Sequence, residues 1–375
     1  MLINKAKKER FVWLDITITL AALQLMAYFY YGLHTVVTAF ACVAFSFVCE
    51  YISVRLSNKK FTADNLTCVS DGLIISLMMP AGIDYKIPVM ACIFANVVGK
   101  NIFGGRKNII FSPAAVGYLF ALTSWKDKLN MYPLPFARIG IREQAKELAV
   151  SASYTFNTTG KLSLSDYDIL LGNFCGGVGT VSILLLLISA VILLFRRDIS
   201  LGAFVGAVAG NVFMSVVCPV TSDISDTLKY VFTTNMTLFA TIFIISDIRT
   251  TPHKSYYSFY YGLFTALISY ALLLTTGIEN LSVIIAVLLT PLALALKKLE
   301  DKIKYLKSTE TIVETVKQNN ELSEEIAADI SVENDDISEI ASDAIKEINE
   351  ISGNNVSAVS FEAAQIGEGD ISENA

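Results

Sequence analysis

The chain has 375 residues, 53% of them hydrophobic and only 17% charged, with a mean hydropathy of +0.53 and a net charge of −6. A soluble domain carries about a quarter charged residues, so this balance excludes one and points to a polytopic membrane protein. No nucleic-acid partner is expected of it.

The N-terminal MLINKAKKERF is basic and runs into an apolar stretch without a small-residue cleavage site, so it reads as a retained first span. A bilayer takes about 20 residues to cross. Apolar windows near that length fall at 12–32, 34–55, 65–80, 87–103, 108–125, 179–195, 199–218, 229–246, 256–276 and 278–296. The third and fifth are short enough for tilted or broken helices.

Lysine and arginine test this count, because they concentrate on cytoplasmic connections. Lys5, Lys7, Lys8 and Arg10, then Arg55, Lys59 and Lys60, then Lys100, Arg106 and Lys107 fall on one side. Arg196, Arg197, Arg249, Lys254 and the lysines from Lys297 to Lys307 join them, while the short opposite connections carry only His34, Lys86 and Lys229. Both termini are therefore expected in the cytoplasm and the polar interval 126–175 outside. Five spans on either side of that interval make two halves of opposite orientation, an arrangement that commonly sets a pathway near the bilayer midplane. The expected fold is an all-α membrane domain over 1–300, of about ten transmembrane helices in two inverted five-helix repeats. SDGLIISLMMPAG at 70–82 and TIFIISDIRTTP at 241–252 each end an apolar run at proline, a short match in keeping with such a repeat.

Within this frame, Asp71 lies inside an apolar segment, where a charge is costly and marks an ion-path candidate. Pro113, in the stretch from Gly104 to Gly117, is expected a few residues inside the fifth span, either unwinding it to line a ligand or merely kinking a helix packed by small residues. Glu147-Leu-Ala-Val-Ser-Ala-Ser-Tyr-Thr155 offers three small hydroxyls in the long outer interval. Gly172 to Ser182 gathers Gly176, Gly177, Gly179 and Thr180 where a helix begins, and exposed amides there suit an anion. Asp247 and Arg249, closing the eighth span, read first as a helix cap and anchor. Six scattered cysteines, without a CxxC pair, read as small packing residues, and no metal site is expected.

Residues 308–375 hold 17 Asp or Glu and two Lys, a net −15 that leaves +9 on the remaining 307 residues. The interval 301–375 is an acidic cytoplasmic tail. Its apolar spacing permits an amphipathic helix over about 320–351, with disorder beyond.

Taken together, Gly99-Lys100 through Gly117, Gly172 through Ser182 and Ser246 through Pro252 resemble, in order, three motifs of one family. These are GKxxFGGxxxNxFNPAxxG, GxxxGSxGExS and TDPxTxP, found in the D subunit of the Rnf electron-transport complex and the B subunit of the Na+-translocating NADH:quinone reductase. The resemblance covers about residues 10–300.

It implies a membrane subunit that carries FMN and couples electron transfer, of ferredoxin/NAD or NADH:quinone type, to Na+ or H+ movement in a prokaryotic inner membrane. It also implies a phosphoester from FMN to a hydroxyl in a Dxx(S/T)(G/S)A(T/S) motif of the outer loop, made by an external flavin transferase. Laid on this sequence, that motif puts the acceptor at Ser153, with Thr155 second and the Gly176–Thr180 turn holding part of the flavin. The aspartate becomes Glu147, the first hydroxyl Val150 and the usual threonine Ser153. Ser112 stands for the family's asparagine and Thr180 for its glutamate. A second, noncovalent flavin is left open, and other Rnf-type membrane and peripheral subunits are the implied partners. The competing reading is a cofactor-free transporter or channel on the same scaffold. A third class is a non-catalytic assembly subunit that recruits partners through the tail.

Overall fold

A computed structural model describes residues 2–306, except 59, 106–108, 142–146, 160–163, 221–222, 277–285 and 304. The chain divides into two units, Met1–Lys297 and Lys298–Ala375. In the second, the described residues 298–303 are helical. The tail beyond 306, with its expected helix at 320–351, and the first part of the window 278–296 lie outside the described residues.

The first unit is mostly helical. In chain order it contains α1 (Leu2–Tyr31), α2 (Leu33–Leu56), α3 (Thr67–Met78), α4 (Lys86–Phe94), α5 (Pro113–Ser124) and the short α6 (Lys126–Leu129). After β1 (Met131–Pro133) and β2 (Leu148–Val150) come α7 (Ala152–Thr159), α8 (Asp166–Leu171), α9 (Ile183–Arg196) and α10 (Leu201–Val217). Then follow α11 (Ile224–Lys229), α12 (Thr237–Ala240) and α13 (Ser255–Thr276). Wide π turns extend α4 over Ala95–Asn101, α11 over Tyr230–Thr234 and α12 over Thr241–Ile245.

Val12–Tyr31, Leu33–Leu56 and Ser255–Thr275 are each long and apolar enough to cross a membrane. Ile224–Thr234 and Thr237–Ile245 are together long and apolar enough as well, but bent by 58° at the break between them, as in a broken span or a re-entrant loop; the pair is called the bent span below. Thr67–Met78, Pro113–Ser124, Ile183–Arg196 and Leu201–Val217 are apolar but shorter. The last two of these carry apolar side chains on their exposed faces. On α9, Leu184, Leu187, Ile188, Val191 and Phe195 are exposed while Leu186, Ala190 and Leu193 are buried, the division expected of a helix with lipid on one side.

Two features of the outer interval differ from the all-α expectation. Met131–Pro133 and Leu148–Val150 pair as an antiparallel ribbon, with Met131 opposite Val150. Ile139 hooks onto the α1–α2 corner, its amide donating to Tyr31 O at 2.9 Å and its carbonyl accepting from His34 N. Gly32 turns that corner at φ +85°, and a Cβ there would sit 3.0 Å from Ile139 O.

Small residues set the helix spacing. A Cβ on Gly206 would fall 2.2 Å from Phe259 O, and one on Gly262 would fall 2.2 Å from Ala203 O, so α10 and α13 meet backbone to backbone. Gly117 brings α5 equally close to α4, where its Cβ would be 2.4 Å from Ala91 O. Pro113 begins α5 at its first position, where its missing N–H costs no bond, so it does not kink a span from within.

Charges inside the bundle are paired. Lys100, grouped by sequence with the cytoplasmic cations, is wholly buried with Nζ 2.9 Å from Glu50 Oε1. Arg196 Nε lies 2.7 Å from Asp15 Oδ2, tying α9 to α1.

Gly206→Ala should force α10 and α13 apart and cost about 1–3 kcal/mol, the usual range for an overpacked contact. Thermal unfolding of the purified protein checks this, with exposed Val205→Ala as a control that leaves the midpoint within a degree or two.

Candidate functional site

The bent span, residues 224–245, brings the candidate residues to its two ends. Its break falls at Asn235 and Met236. Met236 adopts a left-handed backbone (φ 56°, ψ 2°) that a side-chain-bearing residue holds only where packing enforces it. The polar run Thr233-Thr234-Asn235 in an otherwise apolar stretch is the sequence signal for this break, and a hydropathy window averages it away.

At one end, α7 is stapled to the first half of the span. Ser153 Oγ donates to Thr234 O at 2.8 Å and lies 3.0 Å from Thr234 Oγ1, and the rings of Phe156 and Tyr230 stack at 4.3 Å. Ser153 is 0% exposed inside a regular helix whose start is capped by Ser151 Oγ, which accepts from Tyr154 N. Thr155, half-buried, lines a cavity of about 320 Å³ with Pro135, Val150, Asn173, Phe174 and Cys175. Burial pushes the Cys175 thiol pKa up, so it stays protonated near neutral pH.

The glycine turn is also placed differently from the expectation. Three of its amides do not stand open for an anion: Val178 N donates to Met79 O, Gly179 N to Leu77 O at 2.7 Å, and Thr180 N to Gly177 O. These bonds close the C-terminal end of α3, whose last carbonyls have no partner within the helix. The glycines are there for contact. A Cβ on Gly177 would meet Met236 Cε at 2.4 Å, and one on Gly179 would meet Leu77 Cβ at 2.6 Å. Gly176 is buried beside Val181, and α9 begins only at Ile183. Gly177, Ser153 and Thr234 thus converge on the break.

At the other end, Asp71 is fully buried and held by Arg249 in a two-pronged pair, Nη2 to Oδ1 at 2.8 Å and Nη1 to Oδ2 at 3.3 Å. Arg249 Nε also donates to Asp247 Oδ2 at 2.8 Å. One guanidinium therefore serves two carboxylates. Arg249 does more than cap its own helix: it joins the α3 segment to the end of the bent span. The charge is tolerated at Asp71 because a planar fork matches a carboxylate. Beside the cluster, Trp13, Thr67, Ser70, Arg249, His253 and Lys297 line a cavity of about 250 Å³.

Arg249→Gln should leave two buried carboxylates without a counter-ion and cost about 3–5 kcal/mol, while adding Asp71→Asn should restore much of it. A double-mutant cycle on unfolding midpoints measures the coupling. A double-variant loss equal to the sum of the Arg249→Gln and Asp71→Asn losses would show that the pair contributes nothing.

The model of the NQR2, RnfD, RnfE family matches residues 2–297. Among curated relatives, the D subunit of the Na(+)-translocating ferredoxin:NAD(+) oxidoreductase complex of Acetobacterium woodii is 25% identical over 187 residues, 50% of this chain and 58% of the relative. The D subunit of the proton-translocating ferredoxin:NAD(+) oxidoreductase complex of Clostridium ljungdahlii is 21% identical over 207 residues, 51% of this chain and 59% of the relative. The D subunit of the ion-translocating oxidoreductase complex of Pseudomonas aeruginosa is 26% identical over 185 residues, covering 45% of this chain and 54% of the relative. The chain thus spans somewhat over half the length of these curated relatives. The family match runs through both ends of the bent span and nearly the whole of the first unit, and this chain belongs to the NQR2, RnfD, RnfE family.

Proposed function

We propose that this chain is the membrane subunit of an Rnf-type complex that couples electron transfer, of ferredoxin/NAD or NADH:quinone type, to movement of Na+ or H+. In this reading its membrane domain crosses a prokaryotic inner membrane about ten times, as two inverted halves with both termini in the cytoplasm. Its partners are the other Rnf-type membrane and peripheral subunits. The observation that carries the reading is the bent span, which links the flavin-motif helix α7 at one end to the Asp71–Arg249–Asp247 cluster at the other. Asp71 is its ion-path candidate.

FMN, attached through a phosphoester by an external flavin transferase, would supply the one- and two-electron chemistry, while the protein supplies position and surroundings. Motif register favours Ser153 as the acceptor, and accessibility favours Thr155. The cavity beside Thr155 is walled by Phe174, Pro135 and Val150, an apolar lining that suits a planar ring, with Asn173 as a polar contact. Ser153 can receive the group only if its bond to Thr234 opens. Gly176, Gly177, Gly179 and Thr180 act in this reading by holding Met236 and α3 in place behind that site. A second, noncovalent flavin would suit the inner cavity, where Trp13 offers a stacking face and Lys297 a positive charge. The relatives' names differ in the ion, so likeness to them leaves that choice open.

Flavin fluorescence of the denatured chain, made alongside a working flavin transferase, tests the attachment together with the mass of the 143–161 peptide. Fluorescence lost only in Ser153→Ala assigns Ser153, and loss only in Thr155→Ala assigns Thr155. An unmodified wild-type chain would sink covalent FMN and favour a cofactor-free transporter.

A further inference from the structure

The α1–α2 corner lies at the boundary of the bilayer. Val12–Tyr31 is 20 residues long, and at about 1.5 Å per residue that is the thickness of the hydrocarbon layer. Its last turn and the first turn of Leu33–Leu56 therefore meet the water together. The residues there have the composition of an interface, where aromatic rings collect. Tyr28, Phe29, Tyr30 and Tyr31 close the first span, and the ring of Phe136 comes from the following loop to within 4.8 Å of Tyr30. Leu134, Phe136 and Ile141 stand exposed on that loop, as do Phe29 and Leu33 on the two helices. A cluster of outward apolar side chains marks a surface that something other than water covers.

Arg138 is the exception in this apolar loop. It is exposed and forms no ion pair among the described residues. The loop holds it in place: the neighbouring Ile139 is bonded through its amide to Tyr31 O and through its carbonyl to His34 N, and Tyr85 Oη donates to Ile141 O at 2.6 Å. Between loop and helices lies a cavity of about 430 Å³, lined by Tyr28, Phe29, Gly32, Leu33, Arg138 and Ile139. It shares no lining residue with the cavities beside Thr155 and Arg249. Its wall joins one unpaired guanidinium to aromatic and aliphatic side chains of two membrane-crossing helices, so a fitting ligand has an anionic head and a hydrocarbon body.

We propose that this cavity binds an anionic phospholipid from the leaflet at this end of the bundle, with its phosphodiester on Arg138 and an acyl chain against Phe29 and Leu33. A guanidinium forks onto two phosphate oxygens, which an ammonium cannot do. A choline headgroup brings its own cation beside the phosphate and offsets the attraction, whereas phosphatidylglycerol leaves the negative charge to Arg138. The site needs only that the chain be embedded in a bilayer, and it stands whether or not the redox reading does.

Native mass spectrometry of the full-length chain in detergent, titrated with phosphatidylglycerol or with phosphatidylcholine of the same acyl chains, tests this. The wild type should retain one phosphatidylglycerol where phosphatidylcholine is lost. Half-saturation should rise about tenfold in Arg138→Gln, the effect of removing a charge-assisted hydrogen bond. Phe29→Ala, which keeps the charge and shortens the apolar wall, should weaken retention as well. Lys126→Gln removes an equal, exposed charge from the same polar interval and should bind as the wild type does. Phosphatidylglycerol should also raise the Tm of the wild type more than that of Arg138→Gln. Equal retention of the two lipids overturns the site, as does unchanged retention in Arg138→Gln or an equal loss in Lys126→Gln. Inorganic phosphate that displaces the lipid at the lipid's own concentration would reveal a phosphate site with no use for the acyl chain, and would overturn it too. A lipid held by the isolated chain but missing from the purified complex would give this face to a neighbouring subunit instead.

Discussion

Arg249 sits between Asp71 and Asp247, two carboxylates that the fold withdraws from water. Isolated, either charge would be among the most expensive groups in the molecule. Together they oblige the α3 segment and the end of the bent span to keep one geometry, because a bidentate pair at 2.8 Å tolerates little displacement. The hydrogen bonds of Val178 and Gly179 to the far end of α3 then fix the glycine turn, and Gly177 in turn bears on Met236 at the break. The charge cluster and the break are thus connected twice, along the span itself and through α3.

That double connection gives the two ends of the bent span a mechanical relation. A change at Ser153 or Thr234 alters the carbonyl end of the first half-span, and the second half-span runs from there to Asp247. A bent pair of helices is also one of the few ways to expose backbone polarity at membrane depth without violating the rule that every such group be satisfied. The π turns extend this, since each widens the helix and shifts which side chains share a face.

Much of this is legible in the residues, and the parts that are not share a cause. Apolar windows locate the helices because hydropathy follows burial in lipid, and the ordered motifs carry the family because their glycines and prolines occupy positions where backbone meets backbone. Asp71 stands out by its cost. Its partner does not, since Arg249 is 178 residues away and two local neighbours, Asp247 and Pro252, explain it as a cap. The turn from Gly176 to Thr180 misleads for a similar reason: a local pattern shows amides at a helix start, while their acceptors, Leu77 and Met79, come from another part of the chain. Ser153 reads as exposed because its surroundings are polar, yet Thr234 covers it. Lys100 reads as an interfacial charge until its partner Glu50 is found in the core.

The glycine face between α10 and α13 has a consequence for movement. With the carbonyls of one helix lodged where side chains of the other would stand, at Gly202, Gly206 and Gly262, the pair has no rotamers through which to readjust. It can slide only by whole steps of its own register. It therefore behaves as one stiff post beside the bent pair of helices, whose break carries the left-handed Met236.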